Sequence, residues 1–198
     1  VLLLHDTDHG EETISMMARF GRGLPANVIP FALNEVTQTG FDFLTGALAY
    51  GAAQIVILTP PKARDHLSGL AGQVGMAEAL MSGLGYGSGR VLVLTETDPD
   101  VIETQLYDLP PLEPAQPSGF IPMGDKRGLI RLAIDHLHKV APAPVDRIAL
   151  PPQSAFGAVN IDVAGCTLCL ACVGACPTGA MQDNPDSPQL RFQEGACI

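Results

Sequence analysis

The chain is 198 residues long, 46% hydrophobic and 16% charged, which is enough apolar material for one large or two small cores and excludes a disordered chain. Eleven Lys and Arg against 21 Asp and Glu leave a net charge of −10, so a phosphate backbone is repelled and nucleic acid is not the expected partner. No run of about 18 apolar residues is present, so no membrane span is expected.

Four short runs rich in Val, Ile and Leu come first: Val1–His5, Val28–Leu33, Gln54–Thr59 and Arg90–Thr95. They barely alternate with polar residues, which predicts strands covered on both faces. Helical spacing fills the gaps. After the first run, Asp8 and Glu11 read as a capping pair before Ile14, Met17 and Ala18. After the second, Phe41, Leu44 and Leu48 share a face that Gly51 ends. After the third, a stripe from Leu67 through Leu70, Val74, Ala77, Met81 and Leu84 stops at Gly85. After the fourth, Asp98-Pro99 reads as an N-cap and first-turn proline ahead of Ile102, Leu106 and Leu109. This alternation predicts an α/β parallel-sheet, three-layer domain of Rossmann or flavodoxin type over residues 1–109.

Residues 110–154 read as a proline-rich linker with one helix, capped by Asp125 and presenting Ile130, Ala133, Ile134, Leu137 and Val140 on one side. Residues 155–198 form the third segment, a partial cluster domain whose first stretch, Phe156 to Asp162, reads as a short strand.

All five cysteines fall in that segment. A disulfide scaffold spreads its cysteines, whereas this packing points to a metal or cluster site. Cys166, Cys169, Cys172 and Cys176 with Pro177 make the run C-x₂-C-x₂-C-x₃-C-P. Three thiolates two residues apart let one loop wrap three corners of an iron–sulfur cubane, while the next, after a turn of helix, points toward a different cluster. Gly165, Ala171, Gly174, Ala175 and Gly179 let backbone amides approach the sulfurs. Zinc sites need only two C-x-x-C pairs.

On these residues the last 40 or so positions resemble the first half of a bacterial-type ferredoxin domain with two [4Fe–4S] clusters. Cys176-Pro177-Thr178-Gly179-Ala180 matches the exit from the first motif, Met181 to Glu194 its hairpin around Asn184-Pro185-Asp186, and Gly195-Ala196-Cys197 the opening of the second. The resemblance implies that Cys166, Cys169 and Cys172 hold cluster I and that Cys176 and Cys197 belong to cluster II. The remaining ligands are missing, so the chain reads as a piece of a longer protein, carrying its clusters poorly on its own. Residues Gly46 to Leu109, with Gly51–Leu58 and Arg90–Leu94, resemble the delta subunit of methyl-viologen-reducing hydrogenase. Thr59-Pro60-Pro61-Lys62 stands where that family places cysteine, so the likeness implies its fold and its association with redox complexes, without its [2Fe–2S] centre.

Weaker features have plainer readings. His5-Asp6-Thr7-Asp8-His9 suits a divalent metal or a solvated turn, and the turn is preferred. Lys62, Arg64 and His66 suit an anion or an exposed basic turn. The glycine-rich stretch Gly83–Gly89 precedes a strand rather than following one, so it reads as a helix stop and turn. Met16, Met17, Met76 and Met81 read as core filler, and His136 and His138 carry no assigned chemistry.

The leading expectation is a cytoplasmic electron-transfer protein or subunit, with a dehydrogenase or hydrogenase-like complex as redox partner. The rivals are a nucleotide- or flavin-binding enzyme subunit and a scaffold whose clusters are purely structural.

Overall fold

The computed structural model describes residues 1–152, 154–157 and 159–197. It divides into two compact units, Val1–Ala155 and Phe156–Ile198.

In the first unit, strand β1 (Leu2–Asp6) leads through helix α1 (His9–Phe20) to β2 (Ile29–Leu33), and α2 (Phe41–Ala49) leads to β3 (Ile55–Leu58). A 3₁₀ turn (Pro61–His66) and helix α3 (Leu67–Gly83) precede β4 (Val91–Leu94), followed by α4 (Pro99–Tyr107). The four strands are parallel in the order β2-β1-β3-β4, with Leu2 opposite both Ile29 and Ile55, and Ile55 opposite Val91. The expected α/β sheet is therefore present.

Burial follows the strand positions. All four residues of β3 are fully buried, as are Leu3 and Leu4 of β1. On one face Leu3, Val56 and Leu58 pack with Met17 of α1 and Ile102 and Leu106 of α4. The alternate residues, Leu4, Ile55 and Ile57, point the other way, and α2 and α3, which touch each other, bury Leu44, Leu48, Leu70, Ala77 and Met81. The expectation of two covered faces fails for β2, where Ile29 is 65% and Phe31 44% exposed. It lies at the sheet edge, and an apolar run does not encode whether a strand has neighbours on both sides. Pro30 offers no amide on that strand, which blunts pairing with another chain.

One local expectation needs correction. Asp8 occupies the N-cap position of α1 but makes no side-chain capping bond; Asp6 Oδ1 instead accepts from Gly10 N at 2.5 Å. The cap thus comes from the last strand residue, which the close approach of Gly10 to His5 permits. Asp98 does cap α4, accepting from Asp100 N at 2.9 Å.

The chain parts at 155–156, and residues 110–155 belong to the same compact unit as the sheet. Helix α5 (Lys126–Lys139) is present, with Asp125 Oδ1 accepting from Gly128 N at 2.7 Å. It packs against α2, buries Ala133 and Leu137 completely, and its Leu137 carbonyl accepts from Tyr86 Oη at 2.8 Å. The proline-rich stretch before it is held too. Arg90, 4% exposed, donates to the Glu113 carbonyl at 2.7 Å, Ser118 N donates to the Ala49 carbonyl at 2.8 Å, and Tyr50 Oη to that of Phe120 at 2.7 Å. Proline prevents regular structure there without preventing packing.

The glycine-rich stretch is a turn, with Gly85, Gly87 and Gly89 at φ +83°, +85° and +77°, a region open mainly to glycine. Among the described residues no helix is long and apolar enough to cross a membrane.

Candidate metal centre

The second unit is small: helix α6 (Ala171–Ala175), strands β5 (Met181–Asp183) and β6 (Leu190–Phe192), and a closing 3₁₀ turn (Glu194–Ala196). The expected strand over Phe156 to Asp162 is absent among its described residues, with Ala158 lying outside them. Val159 and Ile161 are 45% and 40% exposed and have no strand beside them, so the apolar pattern there lacks a pairing partner.

The thiols are arranged by a tight loop and one helical turn. Asp162 Oδ1 accepts from Ala164 N at 3.1 Å and turns the chain into Cys166. Leu168 and Leu170 both adopt left-handed backbone, at φ 55° and 60°, on either side of Cys169. Such a conformation costs a non-glycine residue about 1–2 kcal/mol and curls the backbone so that successive amides face inward, a geometry suited to an anionic centre. Cys172 sits on α6, and Cys176 ends that helix, its amide bonded to the Val173 carbonyl at 3.3 Å. Gly179, at φ +67°, returns its amide to the Cys176 carbonyl at 3.3 Å. The expected hairpin follows: Met181 pairs with Phe192, and Asn184 N donates to the Gln189 carbonyl at 3.1 Å across the turn. Cys197 lies just past the 3₁₀ turn.

Cys169 and Cys172 are exposed, and Cys166, Cys176 and Cys197 are half-buried. Hydrogen-bond donors single out two of them. The Ala171 amide, followed by the Thr167 side chain, pulls the Cys169 thiol below its usual value. At Cys176 the Met181 amide, then the Thr178 hydroxyl and the Thr178 and Ala180 amides, lower the thiol to about 7. Beside Cys166 lies a cleft of about 370 Å³, lined by Ile161, Val163, Leu168 and Leu190. Among the described residues, however, no three His, Cys, Asp or Glu side chains stand close enough to share a metal ion. The loop presents its thiols in order without closing them into a cage.

In kind, these residues fit an iron–sulfur cluster: soft thiolate donors, amides and hydroxyls directed at sulfur, and an apolar cleft beside the first ligand.

Residues 159–182 match the 4Fe-4S binding domain family. The matched segment contains Cys166, Cys169, Cys172 and Cys176, and supports a ferredoxin-type domain that binds [4Fe–4S] and serves electron transfer. A search of curated proteins found no match to the chain.

The other candidate residues lie elsewhere. The chain passes from β1 to β2 on one side and back to β3 on the other, so the sheet's switch point lies between the ends of β1 and β3. His5 and Asp6 there are 6% and 3% exposed, which corrects their reading as a solvated turn. Asp6 Oδ2 and His9 Nε2 are buried without a hydrogen-bond partner, but among the described residues they belong to no group of three metal-ligating side chains. Because the Asp6 carboxylate occupies the Gly10 amide at the start of α1, a phosphate finds that position already taken by an anion. Lys62 reaches Asp8 at 3.4 Å, Arg64 donates to the Thr95 carbonyl at 3.1 Å, and His66 is exposed, as a surface turn would be. His136 Nε2 lies 2.6 Å from the Gln116 carbonyl.

Two features escaped the sequence reading. One is the pair of threonine side chains directed at sulfur; their only signal is a threonine beside Cys166 and another two residues after Cys176. The other is a cleft of about 460 Å³ beyond the end of β2, lined by Asn34, Glu35, Thr39, Asp42 and Lys126, which no local motif announces.

Proposed function

We propose that this chain is the electron-carrying part of a redox complex, passing single electrons through two [4Fe–4S] clusters between a donor protein and an acceptor protein. The observation that carries the reading is the four-cysteine run inside the segment that matches the 4Fe-4S binding domain. Cys166, Cys169 and Cys172 ligate one cluster, and Cys176 and Cys197 contribute to the second. Each cubane takes four thiolates, so five cysteines leave three ligand positions to residues outside these 198.

A bound cluster supplies the one-electron chemistry, and its potential depends on hydrogen bonds to sulfur and on solvent exposure. The residues of the chain ligate it, direct amides and hydroxyls at its sulfurs, and shield one side with Ile161, Leu168 and Leu190. The sheet unit serves as the docking module, in keeping with its resemblance to the hydrogenase delta subunit. A dehydrogenase or hydrogenase-like complex with a basic docking face is the fitting partner for a chain of net charge −10. Oxygen-sensitive thiolate-bound clusters suit the reducing cytoplasm. The nucleotide or flavin alternative finds no support, given the carboxylate at the start of α1.

Iron and acid-labile sulfide measured per chain after anaerobic purification, with EPR after dithionite, test this reading. Iron and sulfide in about equal amounts with a reduced-cluster signal support it; zinc without sulfide overturns it.

A further inference from the structure

The turn after Cys176 places one hydroxyl where it acts on a ligand sulfur. Cys176 closes α6, Pro177 restricts the next φ, and Gly179 folds back so that its amide meets the Cys176 carbonyl at 3.3 Å. Thr178 sits inside this closed turn. Its β-branched side chain has few rotamers, and Oγ1 lies 3.7 Å from Cys176 Sγ in a partly buried contact, within reach for a sulfur hydrogen bond. Either atom can be the donor when the thiol keeps its proton. A ligated sulfur has none, so there the hydroxyl must donate.

We propose that Thr178 is a positioning residue for the second cluster: its hydroxyl donates to the Cys176 sulfur and raises the reduction potential of the cluster held there. The inference rests on the cluster reading above and deepens it. Reduction adds one negative charge to the cluster, part of it on the sulfurs, and a donor aimed at sulfur stabilises the more negative state more strongly. Backbone amides of Met181, Ala180 and Thr178 reach the same sulfur and survive any side-chain change, so only the hydroxyl can be removed by substitution. The effect is therefore a fraction of the whole hydrogen-bonding contribution, and it is confined to one cluster.

The test is a redox titration of the anaerobically purified holoprotein, followed optically and by EPR, comparing the parent with Thr178→Val and Thr178→Ser. Valine keeps the β-branched shape without the hydroxyl, and serine keeps the hydroxyl without the branch. In T178V, one midpoint is expected to fall by about threefold in the reduction equilibrium, or about 30 mV at 59 mV per tenfold for one electron. The other midpoint stays, iron and sulfide contents match the parent, and T178S restores the parent value. Unchanged midpoints at full iron and sulfide overturn the proposal while leaving the cluster reading intact, and so does a shift of both midpoints together. A parent that binds zinc and no sulfide overturns the cluster reading, and this proposal falls with it.

Discussion

The two units are built by different physics. In Val1–Ala155 the strands β1 and β3 and the inner faces of five helices bury Leu, Ile, Val and Met side chains, many to zero exposure. In the second unit only Ala180 is buried among the described residues, while Val163 is 84% exposed and Phe192 40%. A segment of that size without an apolar core needs another source of stability, and metal ligation is the usual one. The first unit is held by its own burial, and on the proposed function the second is held by what its thiols bind.

Removing a ligand breaks this comparison most directly. On the proposed function, Cys169→Ala takes one thiolate from the first cluster, and nearly complete loss of that cluster's iron and visible absorbance is expected. Hydrogen-exchange protection in the β5–β6 hairpin falls with it, whereas the thermal unfolding of the sheet unit stays unchanged. A sheet unit that unfolds with the cluster would show that the two are stabilised together.

The reverse experiment is Ile57→Ala. Ile57 is fully buried at the centre of β3, and truncating such a residue costs about 2–5 kcal/mol. Denaturant unfolding of the sheet unit should shift by that amount, while iron and sulfide per chain stay at parent values. Loss of iron at denaturant concentrations where the sheet remains folded would contradict the division.

The same contrast explains what could be read in advance. The runs that became β1 and β3 are legible because a strand covered on both faces is apolar along most of its length, and Asp98-Pro99 is legible because capping chemistry is local. The exposure of β2 is not legible, since Ile29 and Phe31 look the same whether or not another layer covers them. The packing of residues 110–124 depends on Arg90 and Tyr50, far off in sequence, so the prolines alone suggested a linker. Likewise, Asp6 rather than Asp8 caps α1 because the strand delivers its side chain to Gly10, a geometric outcome that no spacing rule carries. At the candidate metal centre, the four-cysteine run that lies within the 4Fe-4S binding domain match was readable from its spacing. The contact of the Thr178 hydroxyl with sulfur depends on how one turn closes and was not.

The smallest effect sharpens the account of the second unit. Leu170 is a non-glycine residue at φ 60° and is 39% exposed, so its side chain contributes little burial to offset the unfavourable backbone. A left-handed conformation costs an ordinary residue about 1–2 kcal/mol, and glycine avoids that cost while losing more chain entropy on ordering. If the loop is held by its ligands rather than by packing, the strain is relieved when Leu170 becomes Gly, and the entropy term takes back only part of the gain. Leu170→Gly is therefore expected to stabilise the cluster-bound loop by about 1 kcal/mol, seen as slower iron release to a chelator. Leu168, at φ 55°, carries the same strain but lines the cleft beside Cys166, so Leu168→Gly gives up apolar contact as it relieves the backbone. Faster iron release from L170G than from the parent would mean that the Leu170 side chain packs in the loaded state, and that the second unit owes more to burial than its thiol-centred layout implies.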